Sequence, residues 1–178
     1  TLTPSQQEVG SMTVRLAAVA LVATSALAAP AMAQSWRAAP PVVAKLGIVG
    51  VTCKGEFCLG VACRNGRAEL VSMAPGGGPF SGAVTVRLPK MSAQVRFVED
   101  PAIMDALNML GTRALIPADI LAAMARESAI TLSGPTFSDT ISSTFAMKGY
   151  DALVPAVARG CGGASAPASP KPAEPAPE

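Results

Sequence analysis

Three of the four cysteines lie close together in the stretch VTCKGEFCLGVACRNGRAEL, residues 51 to 70. Cys53, Cys58 and Cys63 are each separated by four residues, and Cys161 follows far downstream. Such thiols are candidate ligands of an iron–sulfur cluster or of zinc, candidate redox groups, or halves of disulfide bonds. Plant-type iron–sulfur sites use C-x4-C-x2-C, and structural zinc sites use closer pairs such as C-x2-C. Neither spacing matches, so we expect no metal and no cofactor.

Disulfide bonds are the use of these cysteines that we favour. If one extended strand carries Cys58 and Cys63, they lie about 16 Å apart on opposite faces, too far for a disulfide. We therefore predict Cys53–Cys58 across a short turn and Cys63–Cys161 over a long span. Cys53–Cys63 with Cys58–Cys161 is the alternative. A C-x4-C loop lacks the C-x-x-C spacing of redox thiols, which favours structural bridges.

No catalytic group emerges from the remaining motifs. The chain has no histidine, the usual general base near neutral pH, so Ser81 and Ser133 have no triad partner. The adjacent acids Glu99 and Asp100 are interpreted as a solvated turn. The glycine-rich segment Ala74 to Gly82 lacks the Lys and hydroxyl of a phosphate-binding loop and is interpreted as a mobile connection between strands. We expect the protein not to be an enzyme.

Arg87, Lys90 and Arg96 form a candidate binding surface on the second predicted hairpin. The two arginines alternate with apolar residues on neighbouring strands, and Lys90 lies in the turn between them. Such a patch could bind an anionic envelope polymer or an acidic partner, although solubilising charge is the simpler explanation. Because the net charge is only +2 and the basic residues are scattered, nucleic acid is not an expected partner.

The elements that carry these residues are mostly strands. Asn65-Gly66 lies between two apolar runs, which is a strong hairpin signal. With Asn65-Gly66 as the turn, Cys63 faces Ala68 and Val61 faces Leu70. Cys63 then points into an apolar layer, and Cys58 points to the other face.

Further strands and helices follow along the chain. We predict strands at GAVTVRL and SAQVRFV around Pro89-Lys90, and later at AITLSG and ISSTFAM. Short helices are predicted from Pro101 and from Pro117, and a last helix from Asp151, its N-cap, to Gly160. The pattern of seven or eight short strands predicts a mainly β fold: a small antiparallel β-sandwich or partly open barrel with two or three short helices.

Residues 12 to 33 have the anatomy of a secretory signal peptide. Arg15 supplies the positive region, Leu16 to Leu27 the apolar core, and Ala31 and Ala33 the small residues before the cleavage site. The apolar run is shorter than the roughly 18 to 20 residues that a spanning helix needs. We therefore expect cleavage near Ala33, no membrane span in the mature form, and a periplasmic or secreted protein.

The rest of the chain divides into one domain and two tails. Residues 1 to 11 are polar and predicted to be disordered, and residues 164 to 178 form a Pro/Ala-rich tract with little to bury. The single β-rich domain is therefore predicted at residues 35 to 163.

The segment STFAMKGYDALVPAVARGC, residues 143 to 161, resembles the ending of the invasion-associated locus B family of exported bacterial proteins. The matching residues are Phe145, Met147, Gly149, Tyr150, Ala152, Leu153 and Cys161. The resemblance implies a small, disulfide-bonded periplasmic protein without established catalytic residues and with a virulence or envelope-stress role. We expect a non-enzymatic module that binds another protein or an envelope component. The alternative is a small secreted enzyme or enzyme inhibitor.

Overall fold

The computed structural model describes residues 34 to 76 and 78 to 162. The predicted signal peptide and the two predicted tails lie outside these residues. The strands are β1 Arg37–Ala38, β2 Ile48–Lys54, β3 Phe57–Arg64, β4 Arg67–Ala74, β5 Gly82–Leu88, β6 Met91–Glu99, β7 Leu110–Leu115, β8 Ala129–Pro135 and β9 Thr140–Ala146. The helices are α1 Pro41–Ala44, α2 Pro101–Leu107, α3 Ala118–Met124 and α4 Val154–Gly160, with a 3-10 turn at Asp151–Leu153.

All nine strands belong to one antiparallel sheet in the order β1-β2-β3-β4-β7-β6-β5-β8-β9. The sheet curls into a half-barrel, which confirms the predicted mainly β, partly open barrel. Strand β7 was not predicted, although it joins the first half of the sheet to the second by pairing with both β4 and β6. The described residues also contain four short helices where two or three were predicted.

The first hairpin has the predicted register. Cys63 pairs with Ala68 and Val61 pairs with Leu70 across the Asn65-Gly66 turn. Asn65 and Gly66 both have positive φ, at 53° and 72°, which a two-residue hairpin turn of this type requires.

The inner side of the curled sheet holds the larger apolar core. It contains Leu59, Val61 and Leu70 from the first half of the sheet and Val84, Val86 and Leu132 from the second. Three phenylalanine rings meet in it: Phe57 lies 5.3 Å from Phe80 and 5.7 Å from Phe145 between ring centroids. Burial of these side chains favours curling, because a flat sheet would leave them in water.

A second, smaller apolar cluster covers the outer side of the first half of the sheet. Val71 and Met73 of β4 are buried there against Ile103 of α2 and the partly buried Val43 of α1. Gly111 of β7 allows this packing, because a Cβ at that position would overlap the Ile103 side chain. Strands β2 to β4 are therefore buried on both faces, which explains their nearly continuous apolar runs.

Trp36 closes one end of the half-barrel. Its backbone N–H donates to the Lys148 carbonyl oxygen at 2.8 Å, and its ring meets Tyr150 edge-on with centroids 5.1 Å apart. The chain passes Trp36 closely at Gly149, whose φ is +84°.

The last helix begins later than predicted. Asp151 is not its N-cap, because residues Asp151–Leu153 form a 3-10 turn and Leu153 is the N-cap of α4. Pro155 lies in the first turn of α4, where its missing N–H costs no helical hydrogen bond.

Candidate functional site

The four cysteines form two separate disulfides and not a shared site. Cys53 is bonded to Cys58 and Cys63 to Cys161, which confirms the favoured pairing. Cys53 and Cys58 are direct neighbours on β2 and β3, half-buried on the outer side of the sheet. The second bridge joins β3 to the end of α4 across a sequence separation of 98.

Arg87 and Arg96 lie on the same outward side of the second hairpin, as predicted from their spacing. Arg87 pairs with Ser92 beside the turn that carries Lys90, whereas Arg96 pairs with Ala83 at the other end of the hairpin. The two pairs are four positions apart along β5, or about 13 Å at the usual strand rise. The three cations therefore border a surface and do not form one cluster.

Hydroxyl side chains fill the surface between the arginines. We call the outward side of β6, β5, β8 and β9 the polar face. Two rows cross these strands, Ser92-Arg87-Thr131-Thr144 and Gln94-Thr85-Ser133-Ser142.

The hydroxyls of the polar face are held in pairs across β8 and β9. The Thr131 and Thr144 hydroxyl oxygens lie 2.8 Å apart, and those of Ser133 and Ser142 lie 2.7 Å apart. By strand alternation, no residue on the outward side of these four strands is acidic. The exposed acids Glu99, at the end of β6, and Asp139, in the β8–β9 turn, lie at the margin. The polar face can therefore offer ordered hydroxyls and positive charge to a ligand, with carboxylates only at its edge.

Phe137 extends the same end of the polar face as Arg96. It lies in the turn between β8 and β9 and is 42% exposed. Thr136 fixes this turn, because the Thr136 Oγ1 accepts from the Asp139 N–H at 3.0 Å. An exposed aromatic ring on an ordered turn can stack against the apolar side of a sugar.

An ion cluster that was not predicted lies on the outer side of the first half of the sheet. Arg113 of β7 is 3% exposed and pairs with Asp100 and, at 3.3 Å, with Glu69. Its guanidinium also donates to the Leu46 carbonyl oxygen at 2.8 Å, and Arg64 pairs with Glu69 from the solvent side at 3.3 Å. Every charge in the cluster has a partner, so its role is to hold the segments around α1 and α2.

The interpretation of Glu99 and Asp100 as a solvated turn is wrong for Asp100. Glu99 is exposed, but the Asp100 side chain is only 10% exposed and caps α2 by accepting from the Ala102 N–H at 3.1 Å. The ion pair with Arg113 keeps the Asp100 carboxylate largely buried. This pair was not anticipated, because Arg113 belongs to β7, the strand that was not predicted. The two candidate nucleophiles have ordinary hydrogen bonds. The Ser133 hydroxyl is hydrogen-bonded to the Ser142 hydroxyl, and the Ser81 backbone N–H donates to the Pro135 carbonyl oxygen.

The glycine-rich segment connects β4 to β5, as expected for a loop. Its end is firmly held: the buried Phe80 donates from its N–H to Ser72 Oγ at 2.9 Å and accepts from Thr112 Oγ1 at 2.6 Å. These bonds orient Phe80 into the inner core.

Two further findings concern the described ranges. In residues 34 to 76 and 78 to 162, no three His, Cys, Asp or Glu side chains lie close enough to hold a metal ion. No helix in that part of the chain has the length and apolar character to cross a membrane.

Comparisons with protein-family models, curated proteins and solved structures found no match. The resemblance to the invasion-associated locus B family therefore stays a prediction based on residues 143 to 161.

Proposed function

We propose that the protein is an exported, non-catalytic binding module whose polar face binds an anionic polysaccharide of the cell envelope. The observation that carries this proposal is the composition of the face: two hydrogen-bonded hydroxyl pairs beside Arg87, Lys90 and Arg96, with no acidic residue on the outward side of the four strands. Hydroxyl and amide groups exchange hydrogen bonds with sugar hydroxyls, and the cations attract carboxylates.

The dimensions of the face favour an extended polymer. Arg87 and Arg96 lie about 13 Å apart along the strands. Two charged sugar units of one polysaccharide chain could therefore contact both arginines at once. Phe137 continues the surface beyond Arg96. The part of this proposal that concerns export and a periplasmic or secreted location rests only on the signal-peptide pattern of residues 12 to 33.

The direct test is binding to polygalacturonate, a carboxylated glycan, with neutral dextran as the comparison. We expect the protein to bind polygalacturonate and not dextran, with affinity that falls as salt rises. The double variant Arg87→Gln/Arg96→Gln should bind at least tenfold more weakly. The matched control is Arg67→Gln/Arg159→Gln, which removes the same charge from two exposed arginines elsewhere and should bind like the wild type.

Three results would contradict the proposal. Equal losses in the two double variants would mean that any positive charge suffices. Tighter binding to single-stranded DNA of matched charge would indicate a nucleic-acid partner. Shortening of the polygalacturonate during incubation would favour the alternative that the protein is a secreted enzyme.

A further inference from the structure

Helices α3 and α4 flank an apolar groove of about 190 Å³ that shares no residue with the polar face. Its walls come from residues spaced three or four apart, so each helix presents one face to the groove. The principal wall residues are Leu121, Ala122, Ala125, Val154, Val157 and Ala158. Because cavities of about 150 Å³ hold benzene, this groove has room for a somewhat larger apolar group.

Tyr150 gives the groove a polar atom. It lines the groove and is only 2% exposed, yet its hydroxyl has no hydrogen-bond partner among the described residues. The fully enclosed, unpaired polar atoms in the described ranges are Trp36 Nε1 and Thr52 Oγ1. The Tyr150 hydroxyl is not among them, so it belongs to the small exposed part of Tyr150, a residue that lines the groove.

The Tyr150 hydroxyl is a neutral hydrogen-bond donor at physiological pH. Burial raises its pKa above the ordinary value for tyrosine, because the surrounding apolar groups disfavour the phenolate. No protein group accepts a hydrogen bond from this hydroxyl among the described residues. A ligand oxygen in the groove would supply that acceptor.

Arg126 gives the groove one charge. Among the described residues that line the groove, it is the only charged one, and its guanidinium has no ion pair or hydrogen bond in that part of the chain. It also borders a shallow depression with Lys148, Glu127 and Asp151, where the two cations and two acids balance. The groove itself therefore complements a single negative charge.

We propose that this groove binds an aliphatic monocarboxylate of medium chain length. The alkyl chain contacts the α3 and α4 walls, and the carboxylate pairs with Arg126. A carboxylate oxygen accepts a hydrogen bond from the Tyr150 hydroxyl. Each part of the ligand thus meets a group that otherwise contacts only water or has no partner.

The test is titration with octanoate, below its micelle concentration, followed by calorimetry and by fluorescence. The chain contains one Trp and one Tyr, and Trp36 lies against Tyr150, so Trp36 fluorescence reports on the groove through its contact with Tyr150. We expect saturable binding of one octanoate per chain, and at least tenfold weaker binding of 1-octanol. Absence of saturable octanoate binding would overturn the proposal.

Three variants test the three parts of the site. Ala122→Trp should abolish binding by filling the groove, and Tyr150→Phe should weaken it about fivefold. Arg126→Gln should weaken octanoate binding about tenfold and leave 1-octanol binding unchanged. Arg126 is exposed, so this variant is expected to fold, which near-UV circular dichroism would verify for all three.

The matched control for Arg126→Gln is Arg159→Gln, on the exposed side of α4. It should bind octanoate like the wild type. If Arg126→Gln and Arg159→Gln behave alike, or if Ala122→Trp still binds octanoate, the assignment is wrong.

Two other occupants of the groove would also be detected. If octanoate binds only after deletion of residues 164 to 178, that segment occupies the groove. If Ala122→Trp halves the molar mass measured by light scattering, a second copy of the chain occupies it. Either result would overturn the proposal.

Discussion

At the scale of single residues, the buried Arg113 brings together parts of the chain that are distant in sequence. Its guanidinium contacts Glu69, Asp100 and the Leu46 carbonyl oxygen. Water cannot replace these contacts, because Arg113 is 3% exposed. The cluster therefore stabilises the fold by satisfying charges that burial would otherwise penalise.

Replacing Arg113 should leave two carboxylates buried without their main partner. We expect Arg113→Met to lower the free energy of unfolding by about 3 to 5 kcal/mol, measured by urea denaturation. Arg64→Met is the control, because the Arg64 side chain is 51% exposed and such pairs contribute at most about 1 kcal/mol. Equal losses in the two variants would contradict a special role for Arg113.

The two disulfides should differ in their effect on stability. In the loop-entropy description, closing the short Cys53–Cys58 loop contributes about 2 kcal/mol and the long Cys63–Cys161 loop about 5 kcal/mol. Unfolding of Cys53→Ala/Cys58→Ala and of Cys63→Ala/Cys161→Ala in guanidinium chloride measures both values. A larger loss from removing the short bridge would show that loop length is not the dominant effect.

At the scale of elements, local signals predicted some features, and distant contacts decided others. The Asn65-Gly66 hairpin was predictable because turn chemistry and alternation are local. Strand β7 was not, because Gly111 and Arg113 are unusual for a buried strand and are explained only by Ile103 and Glu69. The polar face was predicted in part from Arg87, Lys90 and Arg96, although its hydroxyl pairs require the β8–β9 register.

The ion cluster and the apolar groove could not be predicted from the sequence either, because both depend on contacts between residues that are far apart along the chain. Arg113 and Glu69 are 44 positions apart, and no periodic pattern links them. The groove combines faces of α3 and α4, which become neighbours only in the folded chain. The helix from Pro117 was predicted, but not that one of its faces would line a groove.

Gly149 lies so close to Trp36 that adding a single methyl group at this position should lower the stability of the fold. A Cβ there would lie 2.7 Å from the Trp36 carbonyl oxygen, at a φ of +84°. We expect Gly149→Ala to cost about 1 to 2 kcal/mol for the backbone conformation and a further 1 to 3 kcal/mol or so for the overlap.

Gly66→Ala is the control that separates the cost of the backbone conformation from the cost of the overlap. Gly66 also has positive φ, at +72°, but a Cβ there would meet nothing within 4 Å. Chemical denaturation of both variants should show the smaller loss for Gly66→Ala. If the losses are equal, the close approach to Trp36 does not limit this position.

At the scale of the whole molecule, one continuous sheet carries the polar face and both apolar clusters. Because all nine strands are joined and the two clusters lie on opposite sides of shared strands, neither half can lose its packing without exposing the other. A cooperative, two-state transition follows.

This cooperativity can be measured with two signals from one sample. Trp36 fluorescence reports the closed end of the half-barrel, and far-UV circular dichroism reports the whole sheet. In urea, with both disulfides intact, we expect the two transitions to have the same midpoint and slope. A fluorescence transition at lower urea would mean that the Trp36 end opens first.

The Cys63–Cys161 bridge also determines how the protein bears mechanical tension. If the chain is pulled from residues 34 and 162, the load passes along the first strands to Cys63, across the sulfur atoms, and out at Cys161. The segment between these cysteines, a sequence separation of 98, lies outside this path. Tension would therefore act directly only on β1, β2 and β3, apart from the turn that the Cys53–Cys58 bridge closes. It would reach the rest of the sheet only through the packing that these strands share with it.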